Sequence, residues 1–276
     1  MIRILVDSAS DITLDNADNI VVVPLSVNIN NKTYLDQVEL GHSEFYDLLE
    51  QTETFPKTSQ PSPQLFVEAY EKIKEDQDEV ICILLSSGVS GTYQSSILAR
   101  EIVGYDKIYS VDSLTGAYGV KILADEALRC IKEGMSALDI VDHLNELKKR
   151  VQVYVCPETL EYLYKGGRLS KASAVVGSIA NVKPIIEVTR EGKVEAVNKA
   201  IGMNKAMNKP IEMIEEQGID TSYPFYTIHT KGVKNVEKFE SKLKEAGIEV
   251  SDREQLGPVV GTHLGAEAFG AIFVMK

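Results

Sequence analysis

"EVICILLSSGVSGTYQSSILAR" occupies residues 79–100, and its reading decides the fold. Val80 to Leu85 is an unbroken apolar run, as expected of a central parallel strand covered on both faces. Small and flexible residues follow, from Ser86 to Gly91, and a helical pattern begins after Ser90 with Tyr93, Ile97 and Ile102 as its expected buried stripe. Strand, hydroxyl-rich turn and helix make one βα unit. Open α/β sheets bind ligands at the carboxyl ends of their strands. Gly88 and Gly91 permit close backbone approach, and a helix start offers unpaired N–H groups to an anion. A phosphate, an oxyanion or a carboxylate would fit there. An ordinary Ser-capped βα turn would carry the same residues.

Working outward, "IRILVDSASD" is a first strand with a polar turn. "VVVPLSVNIN" (21–30) is a strand broken by Pro24, which suits an edge or irregular piece. A helix opens at Ser43 as its cap. A second has Ser62 at the cap, Pro63 at the first helical position, and Phe66, Ala69, Tyr70 and Ile73 inward. "KIYSVDS" (107–113) is another strand. A helix from about 115 to 131, stopped by Gly134, precedes the helix in "SALDIVDHLNELKKR". This alternation predicts an α/β/α domain over 1–150, built on a parallel sheet. After "VQVYVCPETL" the pattern changes. "PIIEVTREGKVEAV" is a hairpin turning at Gly192. Then come a helix near 204–216, a strand "PFYTIHT", a helix ending at Gly247, a strand "IEVSD" and a Gly-rich segment closing with a strand. These predict an α+β domain with a mixed sheet over 151–276. No low-complexity linker separates the halves, so they should pack tightly.

The chain has 276 residues and a net charge of −12. A nucleic-acid surface needs clustered Lys and Arg, which such a chain lacks. No apolar run approaches the roughly 20 residues that cross a bilayer. The start "MIRILVDSAS" lacks the length and cleavage site of a signal peptide. With three scattered cysteines (Cys82, Cys130, Cys156), this points to the cytosol.

Further stretches place polar groups where ligands bind. "FPKTSQPSPQLF" (55–66) offers Thr58, Ser59 and Ser62 before a helix. In "GPVVGTHLGAEAFG" (257–270), His263 follows Thr262 in a Gly-rich loop, where it can donate to an anion, bind a metal or act as a base. A metal needs three or four ligands, and no second His or carboxylate cluster accompanies His263, so no metal is expected. His42, His143 and His229 read as isolated. Lys165, Arg168 and Lys171 surround Gly166–Gly167 before a helix starting near Ser170, a basic spot in an acidic chain. "GVSGT" (88–92) nearly matches the nucleophile elbow G-x-S-x-G, with Thr92 at the final glycine. A serine esterase using Ser90 with His263 as base is therefore the alternative reading. The P-loop and dinucleotide fingerprints are absent.

The strings "DSASDI", "FPKTSQPS", "LLSSGVSGTYQSS", "VDSLTGAYG", "YLYKGGRLSKASAVVGSIANVKPII" and "IHTKGV", in that order, closely resemble the DegV family of bacterial fatty-acid-binding proteins. The resemblance implies two α/β domains with a long-chain fatty acid in a tunnel between them, walled partly by the VVG, AIF and ANV stretches. It implies a non-catalytic carrier without cofactor. Members of the family include the binding subunit of a fatty acid kinase system, so the resemblance also implies presentation of the fatty acid's carboxylate to a separate ATP-dependent kinase that makes acyl-phosphate for phospholipid synthesis. Carried over by motif, Thr58, Ser90 with the backbone at Gly91, and His263 would hold the carboxylate. Ser59, Ser87, Thr92 and Thr262 are further candidates, and Arg168 would assist phosphoryl transfer or kinase docking. Family members often carry an Arg with a suggested docking role in a Lys-x-Arg-Gly string after the hairpin. Here "KAIG" puts Ile201 at that position.

Overall fold

The computed structural model describes residues 1–13, 19–169 and 181–276. The helix expected near Ser170, and Lys171, lie outside the described residues. The first half is built on a parallel sheet of β1 (Ile2–Asp7), β2 (Ile20–Val23), β6 (Glu79–Leu84) and β7 (Ile108–Asp112), in the order β2-β1-β6-β7. Side chains alternate across β6, as a period of two requires. Cys82 and Leu84 meet Phe66, Tyr70 and Ile73 of α2 (Pro63–Glu75) and Ala99 and Val103 of α3 (Thr92–Val103). Ile81 and Ile83 face the opposite way, toward α4 (Tyr118–Lys132) and α5 (Ala137–Leu147).

Pro24 divides the run 21–30 between two sheets. β2 is an edge strand of the parallel sheet. β3 (Ser26–Ile29) is the centre of a small antiparallel sheet between β4 (Lys32–Leu35) and β5 (Lys57–Ser59). The first helix, α1 (His42–Gln51), is capped by Gly41 rather than Ser43. The buried stripe of α3 also differs from expectation. Thr92, Ser95, Ser96, Ala99 and Val103 face inward, while Ile102 is 62% exposed. Small residues win because α3 lies close against α2, where the Tyr70 hydroxyl shares a 2.8 Å hydrogen bond with the Ser96 hydroxyl.

The second half forms a six-stranded mixed sheet, β10-β9-β8-β13-β11-β12. Its strands are β8 (Val151–Cys156), β9 (Val182–Val188), β10 (Val194–Ile201), β11 (Tyr226–His229), β12 (Asp252–Gln255) and β13 (Phe269–Val274). Among the described residues, only the β11–β12 pair of this sheet is parallel. The short α6 (Glu161–Lys165) follows β8. Tyr154, Phe269 and Phe273 pack under α7 (Met203–Gln217) and α8 (Lys234–Glu245). Val153, Val155, Ile228 and Ile272 turn the other way, into the same core that holds Ile4, Val6 and Ile83 of the first sheet. α4 lies between the two sheets, with the Tyr118 and Tyr226 rings 5.4 Å apart. The last strand but one is Asp252–Gln255 and not "IEVSD". Ile248 and Val250 are drawn into the apolar cluster beneath α8, which leaves the following residues to pair with β11.

Buried carboxylates tie the strand ends of the first half together. Asp7 accepts from Ala9 N at 3.0 Å and from Leu85 N at 2.7 Å, joining the ends of β1 and β6. Burial still pushes its pKa up to about 6. Asp36 is 1% exposed, neither carboxylate oxygen has a hydrogen-bond partner, and burial pushes it from 3.8 up to about 7. Raised acids hold their proton more firmly folded than unfolded. Their contribution is therefore fully present below about pH 4 and is lost as the pH climbs through about 7. Thermal melts at pH 5 and pH 8 are expected to show a lower Tm at pH 8, with a smaller drop in Asp36→Asn. An equal drop in the variant would remove Asp36 as a cause.

Candidate functional site

Between the two sheets lies a cavity whose empty space, mouth included, is about 820 Å³. One wall comes from the first half, with Leu25, Leu85 and Val89. The other comes from the second sheet, with Val153, Ile186, Val188, Val194 and Ile272. The polar side chains in the lining are Thr58, Thr115, Arg168 and His263. The β9–β10 hairpin closes one side. Its tip carbonyl at Gly192 accepts a 2.7 Å hydrogen bond from the Ser86 hydroxyl. A Cβ at Gly88 would lie 2.5 Å from that carbonyl oxygen, so the turn must be glycine there.

His263 sits in a short helix, α9 (Pro258–Leu264), and not in a loop. Pro258 at its first position starts the helix and Gly265 ends it, so the glycines that suggested a loop are helix punctuation. Its Nε2 shares a 2.8 Å hydrogen bond with Thr58 Oγ1 on β5. Burial, and then the charge of Arg168, push its pKa down to about 3, so the ring is neutral at pH 7. Nδ1 is buried without a partner, and Gly166 packs against that edge of the ring. Arg168 donates from Nε to Val89 O at 3.0 Å and from Nη1 to Gly166 O at 2.6 Å. Burial lowers its pKa, and among the described residues no carboxylate pairs with it. Thr58, His263 and Arg168 thus form a polar corner on a space whose remaining side chains, apart from Thr115, are apolar.

The other candidates have different surroundings. Val89 lines the cavity, whereas Ser90 and Gly91 are not in its lining. Ser90 Oγ shares a 2.8 Å hydrogen bond with Thr92 Oγ1, and Gly91 caps α3 with the Gln60 side chain against it. The pair a serine esterase needs is not hydrogen-bonded. His263 engages Thr58, and Ser90 engages Thr92. Ser87 is exposed and bonds both backbone and hydroxyl to Asp112, Ser59 is exposed on β5, and Thr262 Oγ1 donates to Pro258 O within its own helix. Gln60 Nε2 donates to Ser95 Oγ at 2.9 Å, so the loop after β5 and the start of α3 pack together. Lys165 pairs with Glu161 and lies over the Phe55 ring. Ile201 ends β10 with 68% of its surface exposed.

His143 is not isolated. Its Nε2 lies 2.6 Å from Glu126 Oε1, with Cys130 near enough for the three to share an ion. Arg129 already binds both Glu126 oxygens at 2.8 Å, holding the Glu126 pKa down at about 2 and supplying the positive charge an ion would bring. The loop before α4 is a wall of the cavity to which sequence reasoning assigns no role. Its string "SLTGAY" shows a glycine and a hydroxyl, but nothing in the residue types announces the left-handed backbone at Leu114 and Ala117.

The family model described as "Uncharacterised protein, DegV family" matches residues 1–276. A DegV domain-containing protein of Caldanaerobacter subterraneus subsp. tengcongensis is 37% identical over 279 residues, covering 100% of this chain and 99% of its own. Among solved structures, a DegV family protein from Thermus thermophilus, described by its fatty acid binding, superposes with a TM-score of 0.89 at 29% identity. The match covers 100% of this chain and 99% of that one. DegV from Bacillus subtilis, a fatty acid binding protein, does so with a TM-score of 0.83 at 31% identity and the same coverage. Sequence match and superposition both run the full length, so the chain belongs to the DegV family.

Proposed function

We propose that this protein is a non-catalytic carrier that binds one long-chain fatty acid in the cavity between the sheets. Residues 1–150 and 151–276 act as the two lobes that enclose it. The observation that carries this reading is the apolar cavity with a single corner of Thr58, His263 and Arg168. The Thermus thermophilus and Bacillus subtilis relatives, which bind fatty acids, support it. A chain of about fifteen methylenes gains roughly 12 kcal/mol gross on leaving water, at about 0.8 per group. Association and ordering remove several kcal/mol of that. The head group then needs only modest recognition. A neutral His263 polarises Thr58, and the guanidinium of Arg168 supplies the counter-charge. Ser90 and the Gly91 amide adjoin the lining residue Val89, and Ser90 Oγ would have to exchange Thr92 Oγ1 for the carboxylate to join the site. Arg168 is thus assigned to the ligand itself rather than to kinase docking alone. No cofactor or metal is needed.

The lipid is expected to come with the protein. Mass spectrometry of an organic extract of material purified from bacteria should show bound fatty acid. An empty extract, with no thermal stabilisation by added palmitate or oleate, would overturn the reading.

Thr58→Val and His263→Ala are expected to weaken palmitate binding while leaving the melt cooperative. A hydrogen bond to a charged group contributes about 1.5–3 kcal/mol, so the loss should be roughly 10–100-fold in a titration. Unchanged affinity in both would remove these residues from the site.

The further step is presentation of the carboxylate to a separate fatty acid kinase. Ile201 stands exposed at the position where the family resemblance leads us to expect an Arg with a docking role. Loaded protein mixed with a kinase subunit and ATP should yield acyl-phosphate, and Ile201→Arg should raise the rate. No product with either form would leave a carrier without that partner.

A further inference from the structure

We propose that Glu126, Cys130 and His143 form a binding site for a divalent cation of the zinc type, with the Arg129 guanidinium standing in the cation's place and giving way to it. The proposal is independent of the fatty-acid reading, and none of the three residues is in the cavity's lining. Among the described residues, they are the one group of three or more His, Cys, Asp or Glu side chains whose donor atoms all lie within 4.8 Å of one another. Glu126 and Cys130 stand four residues apart on α4, so they share a face of the helix. His143 comes from α5, which packs beside α4. Tyr223, before β11, brings a further oxygen, its hydroxyl 3.4 Å from Glu126 Oε1.

Arg129 marks where a cation belongs. Its Nη2 lies 2.8 Å from Glu126 Oε1 and 3.9 Å from Cys130 Sγ, so one guanidinium nitrogen touches two of the three donors. The third donor, His143 Nε2, is 2.6 Å from the same carboxylate oxygen. The Cys130 sulfur is therefore turned toward the polar cluster, although the residue is buried. The Arg129 side chain is 53% exposed and also donates to Glu133 through Nη1. It can move onto Glu133 alone, which opens Glu126 to solvent. The donor set selects the ion. A thiolate, an imidazole nitrogen and a carboxylate suit Zn²⁺, whereas Ca²⁺ and Mg²⁺ take oxygen ligands. A fourth position is left for water or the Tyr223 hydroxyl. Binding sends the Cys130 thiol proton to solvent and leaves the imidazole proton on Nδ1. The ion would staple α4, which lies between the two sheets, to α5.

Co²⁺ is the probe, because thiolate ligation gives it a near-ultraviolet charge-transfer band and tetrahedral coordination gives it intense visible bands. Titration of the full chain, its thiols kept reduced by a non-thiol reductant, is expected to develop both, to saturate at a single equivalent and to be bleached by Zn²⁺. Cys130→Ser should lose the charge-transfer band. His143→Ala should weaken Zn²⁺ binding by at least roughly tenfold, the low end of what even an outer-shell partner contributes. Arg129→Ala should do the opposite and tighten Zn²⁺ roughly tenfold, because the competing cation is gone. No band in wild type, or a band that survives in Cys130→Ser, where Cys82 and Cys156 remain, overturns the site. Unchanged or weaker binding by Arg129→Ala overturns the exchange with Arg129. The wild-type spectrum decides even if Cys130→Ser fails to fold. Palmitate enters none of these readouts, so failure of the fatty-acid reading would leave the test standing.

Discussion

Two sheets, each with an apolar face to cover, share one core, and the rest of the structure follows from how that core is filled. Ile4, Val6 and Ile83 of the parallel sheet belong to the same cluster as Val153, Ile228 and Ile272 of the mixed sheet. Protein interiors pack to crystal-like density, so a space left inside such a core must be held open by rigid surroundings. Here α4 occupies the seam between the sheets. The loop that precedes it borders the cavity, so the space begins where the wedge of α4 ends. The opposite wall is the β9–β10 hairpin, pinned at its tip to Ser86.

A polar corner on an apolar space is stable only if its groups are paired or neutral. His263 meets that condition by staying neutral and sharing its Nε2 with Thr58. Arg168 meets it in part through two backbone carbonyls. The corner is assembled from segments remote in the chain: β5, the Gly166–Gly167 turn and α9. Asp11 adds to this assembly by accepting from Gly257 N at 3.0 Å, which seats α9 against the first half. Tyr46 does the same by donating to Leu256 O at 2.7 Å.

Much of the fold was legible because strand and helix periods differ. The continuous run at Val80–Leu85 became the buried centre of the parallel sheet, and the hairpin at Gly192 formed where its turn residues indicated. What misled were local patterns that tertiary contacts outweigh. Ile102 fits a helical stripe, yet α2 demands small residues, and the serines of α3 went inward instead. Glycines around His263 looked like a loop, but Pro258 and Gly265 bound a helix. Of the hydroxyls clustered at residues 86–92, Ser86 is spent on the hairpin, Ser87 on Asp112, and Ser90 and Thr92 on each other.

The sequence by itself determined the βα alternation, the change to a mixed sheet after residue 150, and which short strings carry hydroxyls, glycines and the one suggestive histidine. Periodicity and turn chemistry are local, so they survive without knowledge of neighbours. Only the tertiary structure decided that Thr58 meets His263 across 205 residues of chain and that Arg168 and the loop before α4 line the cavity. Those outcomes depend on which surfaces pack and what space remains between them. A residue's type does not state whether its side chain borders a filled core or an open one.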